Sequence, residues 1–231
     1  MDTFGLNPKR ITVFAGHYGS GKTNIAINYA IGLSKENDKV SIADLDIVNP
    51  YFRTKDSAKA LEENGVKLIS SEYANTNVDT PALPAEIYSV FEDKSRIAVI
   101  DVGGDDRGAL ALGRYVPFME KEQNYEMLFV INKHRFLTSD AAKTIEIMKE
   151  IESAANFSFT GIVNNSNLGE ETTAQTVLNS VSYAEEVSEL SGLPIKMTTV
   201  KRSLYDELNG KIENIVPLDL YVRQSWLKEE R

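Results

Sequence analysis

The chain has 231 residues, enough for one well-packed α/β domain and short of two of ordinary size. Its 42% hydrophobic and 26% charged residues exclude disordered and collagen-like chains, and 34 acids against 25 bases, a net charge of -9, count against binding to nucleic-acid backbones. With no cysteine and only two histidines, the chain has no ligands for disulfides, thiolate zinc sites or iron–sulfur clusters, and too few for a histidine-built metal site.

Residues 1–10 lack the apolar run of a signal peptide, and no stretch reaches the roughly 18 apolar residues of a membrane span. A single cytoplasmic domain over residues 1–231 is therefore expected. The first apolar run, Ile11 to Ala15, is short and β-branched, which predicts a buried strand. Apolar residues at helical spacing follow from Asn24 to Ser34, then a strand over Val40 to Ala43 ending at Asp44. Lys55 to Asn64 is predicted helical and Val66 to Ile69 a short strand. The polar stretch Ser70 to Thr80 reads as a loop, Ala85 to Phe91 as a helix, and Ile97 to Ile100 as a strand ending at Asp101. Strands are predicted at Met127 to Ile131, Phe159 to Val163 and Ile195 to Val200, the last being the final strand of the core. Helices are predicted at Ser139 to Ala154 and, as one long element, Glu171 to Leu190. The tail from Ile215 carries Leu218, Tyr221, Val222 and Trp226 as a stripe suited to a docked helix. Strands alternating with helices define an α/β protein, three-layered, with a mostly parallel sheet covered on both faces.

Gly16-His17-Tyr18-Gly19-Ser20-Gly21-Lys22-Thr23 fits G-x-x-x-x-G-K-[ST], with a strand before it and a helix after it. Glycines let the backbone close around a phosphate with several N–H groups inward, and the helix N-terminus adds positive partial charge. Lys22 is expected to reach the β- and γ-phosphates and the Thr23 hydroxyl to bind Mg²⁺. Asp101, at a strand end, is expected to hold water on that ion, and Gly104 three residues on offers its N–H to the γ-phosphate. Alternation along Asp44-Leu45-Asp46 points both carboxylates one way. Asp44 is assigned to the outer Mg²⁺ shell and Asp46 to orienting the attacking water.

The phosphate loop, Asp44-Leu45-Asp46 and Val99-Ile100-Asp101-Val102-Gly103-Gly104 together resemble the MinD/ParA-type P-loop ATPases and the related cobyrinic-acid synthase nucleotide-binding domain. The resemblance runs from Ile11 to about Val200. It implies Mg-ATP as ligand, His17 and Asn24 as further nucleotide contacts, and two switch segments near residues 46–53 and 101–107 that a protein partner reads. An asparagine after the strand at Gly161 to Val163 reads adenine in such ATPases; Asn165 is the better aligned candidate and Asn164 the second. The family's second loop lysine, which reaches a partner subunit's nucleotide, is replaced here by His17, so a homodimer around nucleotide stays open. The chain also lacks the cysteines of the iron–sulfur members and a basic face for DNA, and its tail lacks the basic amphipathic character of a membrane anchor.

Asn132-Lys133-His134-Arg135 follows a strand, but it lacks the acid that accepts two hydrogen bonds from guanine, since Arg135 can only donate. Lys133 and Arg135 are therefore expected to form an exposed basic spot. Asn49-Pro50-Tyr51-Phe52-Arg53 offers either aromatic partner contacts or packing under the loop. The leading expectation is a slow ATPase acting as a nucleotide-dependent switch. The alternatives are an ATP-dependent small-molecule kinase or ligase and a nucleotide sensor without turnover.

Overall fold

A computed structural model describes residues 8–46, 57–70, 85–104 and 106–221. Among the described residues, eight strands form one sheet in the order β3-β2-β4-β1-β5-β6-β7-β8. They are β1 (Ile11–Ala15), β2 (Val40–Asp44), β3 (Lys67–Ile69), β4 (Ile97–Asp101), β5 (Tyr125–Ile131), β6 (Gly161–Asn164), β7 (Ile195–Lys201) and β8 (Ile215–Leu218). Every pairing is parallel. The C-terminal strand ends therefore all lie on one edge, where α/β proteins collect their ligands.

Period-2 alternation sorts the central strands between two cores. Ile11, Val13, Ala98, Ile100, Met127 and Phe129 face one cluster; Phe14, Ile42, Val99, Leu128 and Val130 face the other. The second face is covered mainly by α1 (Lys22–Ser34), whose residues from Ile25 to Leu33 are all buried, and by α2 (Ala58–Glu63). The first is covered by α3 (Tyr88–Glu92), α4 (Asp106–Gly113), α5 (Val116–Glu122), α6 (Ala141–Ala155) and α8 (Val181–Ser191), with α7 (Ala174–Leu178) and α9 (Tyr205–Leu208) beside β7 and β8. Each fully buried Ile, Leu or Phe contributes roughly 1.5–3 kcal/mol relative to exposure.

Four expectations need correction. α4 and α5 lie in a stretch assigned no element; α5 starts with Pro117 in its first turn, where a missing N–H costs nothing. The long helix expected over Glu171 to Leu190 is two, α7 and α8. The break falls at Asn179-Ser180, where the buried Ser180 hydroxyl donates to Val177 O and accepts from Asn164 Nδ2 at 3.0 Å. β7 is not the last strand, since β8 pairs beside it as an edge strand, a place that tolerates Pro217. Leu218 belongs to that strand rather than to a helix. The tail beyond residue 221, the segment 47–56 and the loop 71–84 fall outside the described residues. Among the described residues no helix is long and apolar enough to cross a membrane.

Candidate functional site

The phosphate-loop sequence lies between β1 and α1, with β4 and β5 flanking β1. Gly19 and Gly21 take φ of 75° and 93° in the left-handed region, which turns the chain tightly into α1. Lys22 is only 7% exposed, and its Nζ folds back over the loop to donate to His17 O at 3.1 Å. Ser20 N donates to the same carbonyl at 3.2 Å. Gly104 approaches from the loop after β4: a Cβ there would stand 2.9 Å from Lys22 Nζ and 2.6 Å from Tyr18 Cα. Only glycine brings this backbone so close to the lysine.

Three acids meet beside the loop. Asp44 and Asp101 are register partners between β2 and β4. Thr23 Oγ1 donates to Asp101 Oδ2 at 2.7 Å, while Asp101 Oδ1 is buried with no hydrogen-bond partner among the described residues. Burial, and then the neighbouring Asp44 carboxylate, push Asp101 well above the usual carboxylate range; Lys22 and Thr23 oppose that rise. Asp46 N donates to Asp44 Oδ1 at 2.9 Å, and the Asp46 carboxylate borders Gly103, 3.3 Å from where a Cβ would stand. An unpaired buried carboxylate oxygen next to a threonine hydroxyl and a second acid suits a hard divalent cation that keeps several waters. No group of three or more His, Cys, Asp or Glu able to hold a metal by itself occurs among the described residues.

His17 is half-buried, and burial, then the Lys22 and Arg135 charges, hold it below its usual pKa. Tyr18 is 48% exposed. Asn24 Oδ1 accepts from Tyr221 N at 3.0 Å, tying the end of the described chain to α1. Asn165 reaches the loop, but both ends of its amide are engaged. Nδ2 donates to Ser20 O at 2.6 Å and Oδ1 accepts from Thr199 Oγ1 at 2.6 Å. Asn164 is fully buried and holds Ser180, Ser166 Oγ and Ser166 N.

The basic spot expected at 133–135 is not exposed as such. Lys133 Nζ donates to Asn179 O at 3.3 Å and lies 6.0 Å from the Tyr183 ring centroid. Arg135 Nε donates to Gly19 O of the phosphate loop at 2.8 Å, a contact that sequence reasoning missed. Two open clefts on the surface lie away from the loop, one lined by Tyr125, Glu152 and Phe157 to Thr160, the other by Asp38, Ala58 and Glu62. Neither holds any residue of the phosphate loop.

The all-parallel sheet, its helices on both faces and the glycine-rich turn between β1 and α1 define a P-loop NTPase fold. Solved structures share it. FtsY from Mycoplasma mycoides is 23% identical with a TM-score of 0.54, the match covering 87% of this chain and 62% of that one. The cell division protein FtsY from Thermotoga maritima is 21% identical with a TM-score of 0.54, over 87% of this chain and 64% of that one. The signal recognition particle 54 kDa protein from Aeropyrum pernix, solved in complex with GDP, is 17% identical with a TM-score of 0.51, over 84% of this chain and 42% of that one. The chain thus spans less than two thirds of the length of each, and at these identities the likeness is one of fold. No protein-family model and no curated protein matches the chain. The resemblance to MinD/ParA-type ATPases rests on the motifs alone.

Proposed function

We propose that this chain binds Mg-ATP at the loop of residues 16–23 and works as a slow ATPase whose nucleotide state is read by a protein partner. The observation that carries this reading is the meeting of Lys22, Thr23, Asp101 and Gly104 at one point on the C-terminal edge of the sheet. The loop's N–H groups, Lys22 and the start of α1 would receive the phosphates. Thr23 and Asp101 would hold Mg²⁺, with Asp44 behind them. The ion, when bound, neutralises charge developing on the phosphates. Asp46 borders Gly103, so the segments after β2 and β4 adjoin where a γ-phosphate would order both. That is the physical basis for a switch, with Asp46 orienting the attacking water.

ATP is preferred over GTP in this reading because Asn132-Lys133-His134-Arg135 lacks the acid that pairs with guanine. The GDP bound to the Aeropyrum pernix protein makes guanine the alternative to test. A role for Asn165 in reading adenine requires its amide to exchange Ser20 or Thr199 for the base. The direct experiment is phosphate release by purified protein from ATP and from GTP with Mg²⁺. The reading expects slow release that Asp46→Asn abolishes while Mg-ATP binding stays intact. Release unaffected by Asp46→Asn removes that residue from catalysis. Release seen only on adding a metabolite replaces the switch with a kinase or ligase.

A further inference from the structure

Arg135 lies behind the phosphate loop and has no part in the chemistry assigned above. Its segment is fixed to the end of β5: Arg135 N donates to Asn132 O at 3.1 Å, Thr138 Oγ1 donates to the same carbonyl at 2.7 Å, and Asn132 Oδ1 accepts from His134 N at 3.0 Å. From that base its Nε reaches Gly19 O at 2.8 Å. A Cβ on Gly19 would stand 3.3 Å from Nε and 3.5 Å from Cζ, so the guanidinium lies against the bare backbone of the loop.

This contact fixes the orientation of a peptide group. The Gly19–Ser20 bond is trans, so its carbonyl and N–H point in opposite directions. With Gly19 O turned out to Arg135, Ser20 N–H turns in, toward the His17 carbonyl that Lys22 Nζ also contacts. The next peptide is held in the same way, because Asn165 Nδ2 donates to Ser20 O at 2.6 Å. The Gly19–Ser20 peptide is thus fixed at both ends, its oxygen by Arg135 and its N–H by the His17 carbonyl. Charge adds to geometry, since Lys22 and Arg135 both act on His17 beside the loop, while burial keeps His17 toward its neutral form.

We propose that Arg135 is a positioning residue for nucleotide phosphates: it fixes the Gly19–Ser20 peptide of the phosphate loop and sets a positive charge beside Lys22 from the same chain. The proposal deepens the nucleotide-site reading and rests on it. The test is calorimetric titration of the full chain with inorganic tripolyphosphate, Mg-ADP and Mg-ATP, comparing wild type with Arg135→Ala, Arg135→Gln and Arg135→Lys, each checked by thermal melting. Charge-assisted hydrogen bonds exceed neutral ones about twofold in strength, so Arg135→Ala and Arg135→Gln should weaken all three ligands by a common factor of roughly ten. The loss should shrink as salt is raised. Arg135→Lys keeps the charge without the fork and should recover only part of the loss. If Arg135→Ala does not fold, Arg135→Gln against Arg135→Lys decides. Well-folded Arg135→Ala or Arg135→Gln protein that binds tripolyphosphate and Mg-ADP within twofold of wild type overturns this proposal alone. Wild type that binds none of the three overturns the nucleotide-site reading and the proposal with it.

Discussion

Thr23 Oγ1 donates to Asp101 Oδ2 across 2.7 Å, joining the first turn of α1 to the end of β4 and leaving the other Asp101 oxygen buried without a partner among the described residues. The bond aligns a hydroxyl and a carboxylate as the proposed Mg²⁺ site requires. It also leaves a carboxylate in a place that is costly without the ion.

Asp101→Asn should therefore stabilise the ligand-free protein while removing its response to Mg²⁺. The amide oxygen can still accept from Thr23, and the repulsion toward Asp44 disappears. A gain of about 1–2 kcal/mol is expected, within the usual range for single substitutions. The pH sign follows from the raised pKa of Asp101: folding favours its protonated form, so ionisation takes stability away as pH rises above the carboxylate range. The gain from Asp101→Asn should be larger at about pH 8 than at about pH 5. Thermal melts with and without Mg-ATP read both effects. A variant that is less stable at both pH values contradicts the placement of a strained acid here.

Gly104→Ala should disable phosphate binding without unfolding the chain. The added Cβ would meet Tyr18 backbone at 2.6 Å and Lys22 Nζ at 2.9 Å, and the backbone contact cannot yield as a flexible side chain could. Displacing such a close pair by about an ångström costs roughly 100-fold in well-tuned sites, so a loss of at least about tenfold in Mg-ATP affinity is expected. Titration and far-UV circular dichroism together check it; wild-type affinity would mean that Gly104 has no role at the loop.

His17 gives a pH signature of its own. Burial and two neighbouring cations lower its pKa in the free protein, and bound phosphates would raise it. Binding should then take up a proton, so affinity for Mg-ADP should strengthen from about pH 8 to about pH 5.5 more in wild type than in His17→Gln. Superimposable profiles for the two proteins would place the imidazole out of reach of the phosphates.

Asn165→Ala should weaken Mg-ATP and Mg-GTP by similar factors, because its Nδ2 holds Ser20 O rather than open space. A selective loss of ATP affinity would instead identify the amide as an adenine reader.

The central strands were legible because each is a short apolar run whose alternate residues face two cores, as at Ala98, Val99 and Ile100. The Asp44 and Asp101 strand ends and the loop of residues 16–23 were legible for the same reason: local spacing places them. What escaped depends on contacts distant in sequence. The division between α7 and α8 follows from Ser180 bonding Asn164, and Arg135 looked exposed because its partner, Gly19 O, lies 116 residues away. Asn165 was expected to face adenine, but the commitment of its amide to Ser20 O and to Thr199 on β7 depends on contacts distant in sequence.

The most direct test of the phosphate site is calorimetric titration of Mg-ATP into wild type and Lys22→Ala. Lys22 is buried against the loop carbonyl of His17, and removing a charged group from a phosphate cradle costs about 1.5–3 kcal/mol per bond. Saturable binding at one nucleotide per chain by wild type, weakened at least about tenfold in a folded Lys22→Ala protein, is the predicted result. Equal affinity in the two proteins, or no binding by wild type, would contradict it.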